Sequence, residues 1–141
     1  MLNSAKNGDP HPNCLLCGHE NPWSLQLRFA LGEGGNVSAR FQGRNELQGY
    51  NGILHGGVIA ALLDSAMTNC LFQHKVRAVT GDLRIRYRHP IPVTAELELR
   101  AGIKFVKPPL YVMKAEIRQN NRPMATASAK FIRITEENIE H

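Results

Sequence analysis

The sequence predicts an α+β domain in which a curved antiparallel sheet of about six strands wraps around one long central helix. Three observations carry that expectation. The stretch from about His55 to Phe72 has helix length and is apolar on nearly every face, so it needs cover on more than one side. Six other stretches alternate apolar and polar residues with a period of two, as strands with one buried face do. The turns between those strands are short, which favours antiparallel neighbours.

The chain has 141 residues, enough for one domain with a substantial core. It reads as a single domain over 1–141, with an N-terminal loop segment over 1–22 and a polar tail over 135–141. Lys and Arg number 17 against 12 Asp and Glu, giving a net charge of +5. That balance suits a phosphate-bearing ligand but does not select a nucleic acid, and no nucleic-acid partner is expected. The 3 cysteines do not read as a disulfide framework, so a reducing cytoplasm is the simpler setting. No signal-like start and no long uninterrupted apolar run argue for a membrane.

The first element is a turn, His11-Pro-Asn-Cys14-Leu-Leu-Cys17-Gly-His19. A Cys-x-x-Cys pair with flanking histidines could be half of a zinc site, yet no second pair follows. The ligand count favours a packed turn with reduced thiols and no metal. Leu25, Leu27, Phe29 and Leu31 then alternate with polar neighbours as a strand. Gly32 to Gly35 turns the chain into a returning strand carrying Val37, Ala39 and Phe41 on one face. After the helix, Val79, Leu83, Ile85 and Tyr87 are expected on one face of a strand, with Thr80, Asp82, Arg84 and Arg86 on the other. Pro90 and Pro92 end it. Ala95 to Lys104 and Tyr111 to Arg118 form the next two strands, joined at Lys107-Pro108-Pro109. Asn120-Asn121 suits a hairpin turn, since asparagine tolerates positive φ. Met124 to Ile134 ends the sheet, with Ala125, Ala127, Ala129 and Phe131 on one face.

The chemistry concentrates at the helix start. His55-Gly56-Gly57 stands where unpartnered backbone N–H groups point outward and can hold an anion. Asp64 is the lone acid in an otherwise oily run; with Ser65, Thr68 and Asn69 it makes a narrow polar stripe. The pattern alone favours a solvated Asp64. About nine helical residues span about 14 Å and turn the chain by about 900°. A carboxylate and an oxyanion donor serving one carbonyl must each lie about 3 Å from the reacting atoms. Within one chain these two cannot. If both act on one substrate, they come from two copies related by a two-fold axis.

The segment His55-Gly56-Gly57, the acid at Asp64 with Ser65-Ala66 behind it, and the strand ending Tyr87-Arg88-His89-Pro90 resemble the hotdog-fold acyl-CoA thioesterases. The opening Cys14-x-x-Cys17-Gly18-x-x-Asn21-Pro22 is similar to a subset of the phenylacetate-degradation (PaaI-like) branch. The resemblance implies hydrolysis of acyl- or aryl-CoA thioesters without metal or other cofactor. The shared site makes an obligate homodimer the expectation, with a dimer of dimers beside it and the choice between them open. The resemblance also implies Asp64 as general base or nucleophile. Gly56 N–H is the first choice as oxyanion donor and Gly57 the next, with His55 orienting the turn or touching substrate. Asn51 is the nearest polar side chain before the turn, although Gly49 occupies one expected spacing. Thr80 matches a position where relatives hold the attacking water, and is equally readable as an ordinary strand threonine. Leu54 and Met67 are expected in the substrate pocket. The basic strand face of Arg84, Arg86 and Arg88, with Arg100 and Lys104, could meet the phosphates of CoA, or pair with Glu96 and Glu98. Two rivals stay open: an acyl-thioester hydratase or dehydratase of the same fold, and a non-catalytic acyl-CoA-binding module.

Overall fold

The computed structural model describes residues 11–135. The expected tail, apart from Thr135, and the first ten residues of the N-terminal segment lie outside the described residues. In chain order the elements are β1 (Ala30–Leu31), β2 (Val37–Gln42), α1 (Gly56–Gln73), β3 (Ala78–Tyr87), β4 (Glu96–Lys107), β5 (Leu110–Gln119) and β6 (Arg122–Arg133). They form one antiparallel six-stranded sheet in the order β1-β2-β4-β5-β6-β3, curved around α1 as the hotdog arrangement requires.

The core lies between the helix and the concave face of the sheet. Leu62, Leu63, Met67 and Leu71 of α1 are fully buried, as are Leu97, Leu99, Met113, Ile117 and Phe131 opposite them. Each such side chain contributes about 1.5–3 kcal/mol relative to exposure. Ala125, Ala127 and Ala129 are buried on β6, on the face that their alternation indicates.

Both ends of α1 are capped. His55 has extended backbone angles and its Nδ1 accepts from Gly57 N–H at 2.8 Å. At the other end Lys75 has φ +66, with Lys75 N–H on Phe72 O and Val76 N–H on Leu71 O, both at 2.9 Å. That is a Schellman closure with lysine in the left-handed position usually given to glycine. Asn120 and Asn121 both have positive φ and close the β5–β6 hairpin as expected.

Three expectations change. The strand over Leu25 to Leu31 shrinks to two residues, because Gln26 has φ +60 and kinks the chain. Leu25 and Leu27 instead donate their N–H groups to Leu15 O and Leu16 O, still facing the core. In β3 the register slips between Thr80 and Asp82, a bulge at Gly81. One extra residue exchanges the faces, so Thr80 turns toward α1 and Val79 is exposed, the reverse of the alternation read from the sequence. The polar stripe on α1 also divides: Ser65 and Asn69 are buried and bonded to each other, while Thr68 caps Asp64 O at 2.9 Å.

Candidate active site

The site residues expected from the sequence fall at two loci on α1, and β3 touches both. At the middle of the helix, Asp64 is half-buried and its Oδ1 accepts from Thr80 Oγ1 at 2.6 Å. The length is that of a strong hydroxyl–carboxylate bond. The bulge makes it possible, since without the extra residue Thr80 would face away. At the helix start, Tyr87 Oη donates to Gly56 O at 2.8 Å, tying the far end of the same strand to the first helical turn.

The turn before α1 is fastened by backbone bonds. His55 N–H donates to Leu47 O at 2.9 Å and Leu54 N–H to Ile91 O at 2.8 Å. Gly49 packs close enough that a Cβ there would lie 3.4 Å from His55 Cα. Asn51 sits exposed at the tip of this turn, beside Gly52 with φ +80, and Gln48 Oε1 rather than Asn51 holds the Gly52 N–H. Gly57 N–H is taken by His55. Gly56 N–H, one residue earlier, has no acceptor among the described residues. Because Nδ1 accepts, the neutral His55 ring carries its proton on Nε2.

A cleft of about 600 Å³ opens here, lined by Tyr50, Leu54, His55, Gly56, Tyr87 and Arg88 among others. Leu54 is buried at the wall of this cleft. Met67 is fully buried in the core and does not line it. A larger cleft, about 720 Å³, lies over the opposite face of the sheet, near Ser38, Arg100 and Glu116, away from both loci. On that face Arg100 pairs with Glu98 at 3.1 Å and reaches Glu116 at 4.0 Å, while Arg40 pairs with Glu96 at 3.0 Å. The ion-pair reading therefore holds for Arg100.

Sequence reasoning missed the bond from Tyr87 to Gly56 and the turn of Thr80 toward α1. A signal for the second existed, because a lone glycine inside an alternating strand marks a bulge that redirects its neighbours. One further cluster is drawn together, His11 with Cys14 and Cys17, whose ligating atoms all lie within 4.8 Å of one another.

The family model for the thioesterase superfamily matches residues 51–125. Acyl-coenzyme A thioesterase THEM4 of Mus musculus is 34% identical over 67 residues, 48% of this chain and 29% of that protein. The Rattus norvegicus protein of the same name is 33% identical over 67 residues. The matched part thus spans less than a third of those relatives. Among solved structures, protein RHA08564, a thioesterase superfamily protein, superposes with a TM-score of 0.77 at 24% identity, covering 82% of this chain and 60% of that one. A variant of phenylacetic acid degradation protein PaaI from Thermus thermophilus gives 0.69 at 23%, covering 78% and 95%. Protein BH2602 from Bacillus halodurans, solved with CoA, gives 0.70 at 23%, covering 79% and 76%. These structural likenesses establish the fold.

Proposed function

This chain belongs to the thioesterase superfamily, and on that premise we propose that it hydrolyses acyl- or aryl-coenzyme A thioesters. The observation that carries the reading is Asp64, held by Thr80 Oγ1 on the side of α1 that faces β3. As general base, Asp64 takes a proton from water as the water oxygen attacks the thioester carbonyl; as nucleophile, it attacks that carbon itself. Either way the C–S bond breaks and the CoA thiolate leaves, to be protonated as the free thiol. The nucleophilic route leaves an acyl–Asp64 anhydride, which water then hydrolyses to the free acid and the carboxylate. Gly56 N–H stabilises the carbonyl oxygen as it gains charge. His55 Nε2–H, at the same cleft, is a second donor. A ring that keeps its proton on Nε2 is a donor and not a base, which weighs against a hydratase built around a catalytic histidine.

Eight helical residues separate Asp64 from Gly56, about 12 Å along the axis. One substrate carbonyl therefore meets Asp64 of one copy and Gly56 of another, in a two-fold homodimer that can pair again. The edge of β3 supports this: no strand lies beyond it among the described residues, and Val79 and Tyr87 are exposed along it. Open edges of this length are normally covered. Arg84, Arg86 and Arg88 are exposed on and just beyond that strand and suit phosphate, since the guanidinium fork binds two oxygens. The chain acts as one domain over 1–141, and its cysteines suit a reducing compartment such as the cytoplasm.

The deciding assay follows free-thiol release from a panel of short, long and aromatic acyl-CoA esters. Release by the native chain and its loss in Asp64→Ala and Asp64→Asn are expected. Tight ester binding without turnover would instead make the chain a binding module. Label taken into the Asp64 carboxylate in a single turnover in labelled water identifies it as the nucleophile, since a general base gains none.

A further inference from the structure

We propose that His11, Cys14 and Cys17 form a zinc site that pins the N-terminal segment to the end of α1. The spacing His-x-x-Cys-x-x-Cys places one imidazole and two sulfurs on a single tight loop. Their ligating atoms lie within 4.8 Å of one another, and Cys17 Sγ stands 3.3 Å from His11 Nδ1. A tetrahedral zinc with bonds of about 2.0–2.3 Å holds neighbouring ligand atoms roughly 3.3–3.8 Å apart. The observed separations therefore need only small side-chain adjustments, with no movement of backbone.

The backbone is shaped for that purpose. Cys14 N–H donates to His11 O at 3.1 Å and Gly18 N–H to Cys14 O at 2.9 Å, winding the loop into a knuckle. Leu16 N–H points at Cys14 Sγ at 3.3 Å, where it supports a thiolate better than a thiol. Gly18 admits no side chain: a Cβ there would fall 2.4 Å from Cys14 N and 2.5 Å from Pro12 O. This closeness is what brings the two sulfurs to one side.

The knuckle is also anchored. The His11 ring meets Phe72 of α1 edge-on at 5.2 Å, and Leu25 and Leu27 hold the loop through Leu15 O and Leu16 O. It stands apart from the locus at the start of α1. Binding Zn²⁺ displaces the two thiol protons, so the dication and two thiolates leave the site without net charge. Solvent takes the fourth corner.

The 141-residue chain, prepared under reducing conditions with zinc supplied and excess removed, should retain one zinc per chain by elemental analysis. Cobalt substitution should add the charge-transfer absorption of a cobalt–thiolate bond. Cys14→Ser and Cys17→Ser should each reduce bound metal at least tenfold, with the far-ultraviolet circular dichroism of the fold retained. Chelation should lower Tm of the native chain and leave that of Cys14→Ser unchanged. Absence of metal from the native chain, absence of the cobalt–thiolate band, or zinc retained by both variants overturns the proposal. So does a Cys14–Cys17 disulfide found by mass spectrometry in the zinc-supplied preparation. None of these readouts depends on thioester hydrolysis.

Discussion

Gly56 allows the proposed oxyanion donor to be tested without disturbing its surroundings. It is the first helical residue, a position proline accepts readily, and His55 before it has ψ +133, the angle a following proline prefers. A Cβ at Gly56 has ordinary room, 3.7 Å from the Tyr87 ring. Gly56→Pro therefore deletes one N–H and little else. We expect kcat to fall about 10²–10³-fold with little change in Tm, measured by thiol release and thermal denaturation. Thr80→Val removes the hydroxyl from Asp64. A bond to a charged group is worth about 1.5–3 kcal/mol, so kcat should fall by about tenfold or more, and Thr80→Ser should recover most of it. Cys70 makes a contrasting case. Burial pushes its thiol up to about 11, so about one molecule in a thousand is thiolate at pH 8. Alkylation followed by peptide mapping should spare Cys70 in the folded protein while metal-free Cys14 and Cys17 react.

At the scale of elements, the helix ends are where side chain and backbone are most closely matched. His55 replaces the usual serine or aspartate as N-cap. His55→Ala leaves Gly57 N–H without its acceptor and should cost about 0.5–2 kcal/mol, whereas His55→Asn keeps an oxygen in reach. Equilibrium urea unfolding of the two variants reads the difference directly. The opposite end carries strain that substitution can relieve: Lys75 holds a left-handed conformation that costs a non-glycine residue roughly 1–2 kcal/mol. Lys75→Gly should raise stability by up to about 1 kcal/mol, the remainder being lost to the freer unfolded chain.

The whole molecule raises the question of completeness. α1 separates acid from donor by more than a carbonyl can bridge, so each active site should need two copies. Mixing Asp64→Ala with Gly56→Pro should restore up to about a quarter of native activity once subunits have exchanged, because half the dimers are hybrids and each hybrid keeps one intact site. No recovery, with exchange verified by mass, would place both groups in one chain or remove one of them from the reaction.

The sequence by itself determined the sheet-and-helix class, the faces of β2, β4, β5 and β6, the helix bounds to within a residue, and the pairing of Asn120 with Asn121 at a turn. Those follow from local periodicity and backbone preference, which each residue carries with it. Only the tertiary structure decided that Thr80 meets Asp64, that Tyr87 holds Gly56, that Met67 belongs to the core, and that His11 joins Cys14 and Cys17. A single bulge at Gly81 reverses which residues face the helix, and a kink at Gln26 ends a strand that alternation alone would continue. Such shifts cost little locally and are chosen by the packing of distant segments, so no window of sequence contains them.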